Sequence, residues 1–454
     1  MTFAVGDLVL LALLACFTSY RLFFSRKYPH SLPPGPKGWP LIGNAFDMPK
    51  THSWRTFAQW GKKWGPIMSV KVLGTPFIII SNPDIADEML GKTGSLYADR
   101  PTVQMALLTG WDRALSGARY NARFREYRKL IGKVIGTKGS MAKFYPVEDF
   151  QANMLLKRIF QNPEDPAAAI RKLKAAECIG PCNEMADVPL AYVEEQLGKG
   201  EENNSFAADL LKDKGISSEK LTDLKWSAAS FYAAGSDTTV SVVYSYLMAA
   251  ILYPRVQRMA QAEVDSVVGK DRLPSFQDRD SLPYIEALVK ELYRWLPIVP
   301  LAVPHRAMKD NVFQGYYIPK DSLVFVNVWH FLHDPAVYKD PSSFNPERFL
   351  GPDAEPDPID RGLFGYGRRV CPGAHLARSQ NSADVSVWIN IVKAVAGIEV
   401  RPAVDEKGQA KMPVPETTDG IIVRPIPFEC LVKPRSEHLL HVLEEALKDG
   451  ENVN

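Results

Sequence analysis

One cysteine sits in the stretch Phe364-Gly-Tyr-Gly-Arg-Arg-Val-Cys-Pro-Gly373, between glycines, after two arginines and before a proline. The glycines let the backbone turn sharply and approach a flat object closely. Pro372 removes a backbone N–H one place past the sulfur and favours a helix start, and Gly373 to Arg378 reads as that helix. A thiolate at a helix N-terminus, beside Arg368 and Arg369, lies in a positive field that lowers its pKa. Such a sulfur at Cys371 suits metal ligation or nucleophilic attack. A buried structural thiol is the other reading, and on residue chemistry alone both stand.

The second residue with chemistry in it is Asp237. From Trp226 to Tyr253 the chain runs 28 residues without proline, ended by Pro254, and Asp237 is the only charge among them. As a helix this run would be about 40 Å long, enough to cross a whole domain. Its serines and threonines, from Ser227 to Ser245, make it too polar for lipid, so it reads as a core helix. A carboxylate buried mid-helix is costly unless it has partners or a task. Gly235 and Ser236 beside it weaken the helix and can open its hydrogen-bond ladder. The plainer reading is a core kink with a satisfied aspartate.

Other charged residues fall into patterns. Glu291 and Arg294 are three apart on a predicted helix and share a face. Arg348 lies in Phe344-Asn-Pro-Glu-Arg-Phe349, and Arg128 follows Phe124 by four on the basic run from Asn121 to Leu130. His305 precedes two runs, Tyr316–Pro319 and Leu323–Asn327, that read as a strand pair.

The elements that must position these residues begin with an apolar stretch, residues 3 to 24, which reaches about the length of a membrane span. Arg21, Arg26 and Lys27 put positive charge on its C-terminal flank, which leaves the body cytosolic. A cleaved signal peptide is the rival, but the basic start and small-residue cleavage site it needs are not evident. Leu32-Pro-Pro-Gly-Pro-Lys-Gly-Trp-Pro40 is a stiff spacer. Ile67–Val72 and Phe77–Ile80 form a predicted hairpin, and Pro83 starts a helix. The 454 residues are 46% hydrophobic with net charge +2, which supports a sizeable core and excludes a nucleic-acid partner. Five scattered cysteines give neither a disulfide framework nor a zinc site, since Cys178 and Cys182 lack a completing pair. No Gly-x-Gly-x-x-Gly follows a strand, so electrons or hydride from a nicotinamide would come through another protein.

Phe364, Gly367, Arg369, Cys371 and Gly373 together match the haem-binding signature of the cytochrome P450 family, and Ala234-Gly-Ser-Asp-Thr-Thr239 matches its oxygen-activation motif. The resemblance extends from the Pro-Pro-Gly-Pro spacer to about residue 433 and looks like the microsomal P450s of filamentous fungi. It implies a mainly α-helical fold with small β-sheets (α+β). Its parts are a membrane anchor over residues 1–28, a haem-thiolate monooxygenase domain over 29–436 and a polar, peripheral C-terminal tail over 437–454. It implies haem b with Cys371 as axial thiolate, and Phe364, Gly365, Arg369, Arg128 and His305 as cofactor-binding residues. Arg128 and His305 take the family's propionate positions, while Phe124 stands where the family usually has Trp, so an indole N–H is missing. Asp237 and Thr238 would deliver protons to bound dioxygen. Glu291, Arg294 and Arg348 would form a buried charge cluster that locks the cysteine loop.

The implied partners are an NADPH-dependent diflavin reductase facing Arg368, Arg369 and Arg378, a small lipophilic substrate, and the endoplasmic reticulum membrane crossed once. The reaction would be monooxygenation in secondary metabolism or xenobiotic oxidation. Two rivals keep the fold: a degenerate haem-binding member without activity, and an oxygen-independent rearrangement, against which Asp237-Thr238 speaks. Degeneracy draws on Phe124, on a polar insert at Arg378–Asp384 and on a short stretch between Arg128 and Asp237. There Ile179-Gly-Pro-Cys-Asn reads as a turn where the family has a helix and a long loop, leaving a thin roof over the site.

Overall fold

The computed structural model describes Gly6, residues 11–15, Thr18 and residues 29–451, apart from 136–137, 164, 167–181, 202–204, 212–216 and 377–384. Most of the expected anchor, the Arg378–Asp384 insert and residues 179–181 fall outside these. Among the described residues no single helix is long and apolar enough to cross a membrane.

The first local structure is the predicted hairpin. Leu73 and Gly74 both take left-handed φ, 47° and 89°, which suits a two-residue turn between twisted strands. β1 (Ile67–Val72) and β2 (Thr75–Ile80) therefore pair antiparallel, from Ile67 opposite Ile80 to Val72 opposite Thr75. Further along, β3 is His305–Arg306, β4 Asn311–Phe313, β5 Tyr316–Ile318 and β6 Leu323–Val326. The sheet order is β1-β2-β6-β3, with β2 and β6 parallel. β5 pairs with β4 and not with β6, which corrects the expected strand pair. The reason is tertiary: the apolar edge of β6 finds Phe77–Ile80 as partner. A last sheet is built on β7 (Ile398–Val404) and β8 (Cys430–Pro434).

The helical body carries most of the chain. α1 (Ser53–Trp64) lies by the hairpin with Trp54, Phe57 and Ala58 buried on the expected face. α2 (Ala122–Ile135) and α3 (Tyr145–Gln161) follow. α4 runs Cys182–Gly198, so Cys182 and Asn183 are helical and not part of a turn. α5, Ser218–Leu252, starts earlier than the sequence predicts because Ser217 caps it, its Oγ accepting from the Lys220 N–H. It stops at Tyr253, before Pro254, as expected. α6 (Pro254–Val267) turns away from it by 110°. α7 (Pro283–Trp295) and α8 (Val385–Gly397) complete the main core with the C-terminal half of α5. α9 (Glu437–Glu451) corrects the peripheral tail: Leu439, Val442, Leu443 and Leu447 are buried in that same core. Their places at i, i+3, i+4 and i+8 give one apolar stripe, which the surrounding charges mask in composition.

Candidate active site

The cysteine loop closes on itself. Cys371 N–H donates to the Phe364 carbonyl at 2.8 Å, and the Cys371 carbonyl accepts from Ala374 N–H at 2.9 Å as a short 3-10 turn, Pro372–Leu376, begins. Cys371 itself stays partly exposed. Gly365 and Gly367 both take positive φ, 78° and 55°. The close approach at Gly367 is to the protein's own chain: a Cβ there would lie 2.0 Å from the Leu90 carbonyl oxygen. Leu90 belongs to a π-helical turn, Asp87–Lys92, so this turn is the seat of the loop.

α2 holds the loop from the other side, packing against both α5 and the turn after Cys371. Arg128 donates from Nη1 to the Val370 carbonyl at 2.7 Å, one residue before the cysteine. Burial lowers the pKa of Arg128 and the Cys371 sulfur works against that, the mark of a guanidinium facing the thiol. Phe124 keeps part of what a larger aromatic would do. Its ring lies under the Arg369 guanidinium, 3.7 Å from carbon to centroid, a cation–π platform.

Arg369 is buried and donates to the Ala98 carbonyl at 2.6 Å and the Ala118 carbonyl at 2.7 Å. It therefore cannot face a protein partner, which corrects that expectation; Arg368 is exposed and bonds the Tyr120 hydroxyl at 2.7 Å. Arg378 lies outside the described residues. His305, on β3, is buried, and its Nδ1 lies 2.9 Å from the Tyr97 carbonyl. A carbonyl only accepts, so Nδ1 carries the proton.

Nothing in the sequence singles out Arg100. It is buried and donates to the Val303 carbonyl at 2.6 Å, the Pro304 carbonyl at 2.8 Å and the Ser116 carbonyl at 3.1 Å. Burial, then the neighbouring Arg369, pulls its pKa down to about 9. Burial pulls Arg369 down to about 10, and burial with Arg100 holds His305 well below the usual histidine value. The nearest carboxylate, Asp99, is engaged by Arg119 at 2.9 Å and Arg306 at 2.6 Å. Among the described residues, every hydrogen bond of Arg100 and Arg369 goes to a backbone carbonyl. Three buried basic groups with so little negative charge make a site for an anion. A prosthetic group bearing carboxylates and a thiolate-binding metal fits this donor set.

The second motif lies on α5. This helix is buried from Val240 to Ile251 and around Trp226, yet Ala234 and Gly235 are exposed and Ser236 to Thr239 are half-buried. A Cβ on Gly235 would meet nothing within 4 Å. The small-residue motif thus lies on an open stretch of the helix, between its buried segments around Trp226 and from Val240 to Ile251. The helix does not break there, contrary to the expected opening of its ladder. Side-chain hydroxyls bond back along it: Thr238 Oγ1 donates to the Ala234 carbonyl at 2.8 Å and Ser241 Oγ to the Asp237 carbonyl at 2.7 Å.

Glu291, Arg294 and Arg348 come together in the core. Arg294 grips Glu291 through two bonds, 2.7 and 2.8 Å, while Arg348 Nε and the Asn345 N–H donate to Glu291 at 3.2 and 2.7 Å. Arg294 also donates to the Leu332, Pro341 and Ser343 carbonyls, so the cluster fastens the strap 332–345. The contact of α7 with the cysteine loop is an aromatic one, Tyr293 against Phe364 at 6.1 Å.

At that strap His333 stacks on Trp329 at 4.3 Å. Burial, and then Arg294, pushes its pKa down to about 3. Below pH 6.5 the unfolded chain takes up a proton that the folded one refuses. Stability should fall by about 1.4 kcal/mol for each pH unit below 6.5, on His333's account, until about pH 3. Denaturant titrations between pH 7 and 5 should show a shallower fall in His333→Leu; an unchanged slope would remove His333 as a cause.

A family model described as cytochrome P450 matches residues 33–181 and 170–383. The chain belongs to the cytochrome P450 family. It is 37% identical to cytochrome P450 monooxygenase 208 of Postia placenta over 498 aligned positions, covering 95% of each chain. It is 34% identical to cytochrome P450 monooxygenase CLM2 of Gibberella zeae, covering 97% of this chain and 96% of that one. A solved zebrafish cytochrome P450, with abiraterone, superposes with TM-score 0.68 at 22% identity, over 84% of this chain and all of that one, and shows the P450 fold. The 498-position alignment is longer than the 454 residues of this chain, so the Postia relative has residues that it lacks. The family match falls into two pieces that overlap at 170–181, inside the short stretch between Arg128 and Asp237. P450 proteins carry haem on a cysteine thiolate, and P450 monooxygenases generally draw electrons from a redox partner for lipophilic substrates.

Proposed function

We propose that this protein is a haem-thiolate monooxygenase that places one oxygen atom of dioxygen into a small lipophilic organic substrate, in secondary metabolism or xenobiotic oxidation. One observation carries the reading: a partly exposed thiol faced by Arg128 beside a buried anion site. Haem, when bound, supplies the activation of dioxygen. Cys371 would ligate it through sulfur, and Arg100, Arg369 and His305 would hold its carboxylates. Burial and then Arg100 lower the His305 pKa, and an anion beside it would offset the second of these and favour a proton on Nε2. Thr238 Oγ1, although donating to Ala234, still accepts a hydrogen bond and so can position a water. Asp237, one residue before it, would deliver protons from outside through such a water. Phe124, counted toward a degenerate protein, keeps its ring under Arg369, so that argument weakens.

The reading extends to surroundings. The apolar residues 3 to 24 anchor the chain in the endoplasmic reticulum membrane with the catalytic body in the cytosol. Electrons come from an NADPH-dependent diflavin reductase. Arg368 and Arg125, both exposed and both over the Tyr120 ring, offer its acidic surface a basic patch next to the cysteine loop. The deciding experiment is a reduced carbon-monoxide difference spectrum. The wild type should give the red-shifted band of a thiolate haem and Cys371→Ala should lose it. A mutant that keeps the band refutes the ligand, and a wild type without it refutes the function.

A further inference from the structure

A cavity of about 400 Å³ opens to solvent among α3, the C-terminal helix α9 and a 3-10 turn, Phe276–Ser281. It shares no residue with the site around Cys371. Its volume is in the range of small-ligand pockets. Each wall is held in place. Ser275 caps the turn: its Oγ accepts from the Gln277 N–H at 3.3 Å, and Asp278 accepts from the Ser275 N–H at 2.8 Å. Arg272 grips Asp278 through two bonds, 2.6 and 2.7 Å. On α3, Asp149 and Asn153 hold the buried Lys393 of α8, at 2.9 and 2.5 Å. α9 comes in close because Gly450 has no side chain, since a Cβ there would lie 2.5 Å from Cδ2 of Phe150.

The lining is aromatic and acidic. Tyr145 stacks on Phe276 with centroids 4.3 Å apart, and Phe276 on Trp388 at 6.0 Å, a row of rings that leads from the cavity into the core. The buried end of this row already carries a cation, the Arg279 guanidinium 5.1 Å from the Trp388 centroid. Its outer rings, with Phe150, line the cavity. Two aspartates line it as well, and no lysine or arginine does. Lys393 takes the buried Oδ1 of Asp149, yet that side chain stays 32% exposed, which leaves Oδ2 for the cavity. Asp449, exposed on the last turn of α9, adds a carboxylate that no cation among the lining residues matches. Anions are repelled here. A compact, strongly hydrated metal ion gains nothing from the rings, whereas an organic cation gains from both the rings and the carboxylates.

We propose that this cavity is a second ligand site, which takes a small organic cation with an apolar body. Because Asp149 and Asn153 also hold Lys393, a cation bound there bears on α8. The probe is phenyltrimethylammonium, whose quaternary nitrogen has no lone pair to offer an iron. Its neutral counterpart of the same shape is tert-butylbenzene. Calorimetric titration of the haem-loaded full chain should show saturable binding of the cation, and the neutral molecule should compete only at about tenfold higher concentration. Phe276→Ala removes the middle ring of the row and should weaken the cation about tenfold, and Asp449→Lys about threefold. Gln277 is exposed at the rim, so Gln277→Glu adds a carboxylate without disturbing the core and should tighten binding about threefold. That variant and Asp449→Lys decide the matter if Phe276→Ala fails to fold. The absence of saturable binding overturns the proposal, as does equal competition by the neutral molecule. Binding that Asp449→Lys and Gln277→Glu leave unchanged puts the cation elsewhere, the haem pocket included, and overturns it too.

Discussion

Glu291→Gln should lower the unfolding free energy by about 3–5 kcal/mol, the penalty for leaving a buried charge without its partner. The side chains of Glu291 and Arg294 are fully buried, and Arg348 nearly so. Glutamine keeps the shape and one acceptor oxygen but not the charge that two guanidinium groups share. Glu355 at 2.6 Å still serves Arg348, whereas no other carboxylate is bonded to Arg294 among the described residues. Arg294 then has only the carbonyls of Leu332, Pro341 and Ser343, and the strap they belong to should loosen first. Hydrogen exchange over residues 332–345, with denaturant midpoints for the whole chain, checks both parts. A loss under about 1 kcal/mol, the value of an exposed pair, would show that the cluster is dispensable.

Gly367→Ala should be the more damaging change for the site. Alanine brings two problems together: a left-handed φ of 55° and a Cβ 2.0 Å from the Leu90 carbonyl oxygen. The first alone is worth about 1–2 kcal/mol. The second cannot be relieved by a side-chain rotation, because the obstacle is backbone of the π-helical turn. The loop must lift off its seat, and Cys371, whose N–H is bonded to the Phe364 carbonyl within that loop, moves with it. Gly365→Ala is the control: its φ is 78°, but its Cβ would find nothing nearer than the Arg369 carbonyl oxygen at 3.9 Å. The thiolate-haem spectrum should survive in the Gly365 variant with a modest loss of stability and disappear in the Gly367 variant. Equal spectra in both would place the loop's seat elsewhere.

What the sequence settled by itself was local. Cys371 among its glycines, the Asp237 motif, the α7 pair Glu291–Arg294 and the β1–β2 hairpin are legible because short-range spacing fixes which groups share a turn, a face or a register. Even the end of α5 is written locally, in Pro254. Charge partners are not local. Arg100 looks like an ordinary loop arginine; its value comes from carbonyls 203 and 204 positions away and from Arg369 beside it. Arg369, expected to bind the cofactor and also to face a partner, is folded under Ala98, Ala118 and Phe124 and cannot do the second. The tail reads as polar, yet four of its apolar side chains complete the core. In each case burial, a property of the whole packing and of no window of residues, decided what the side chain is for.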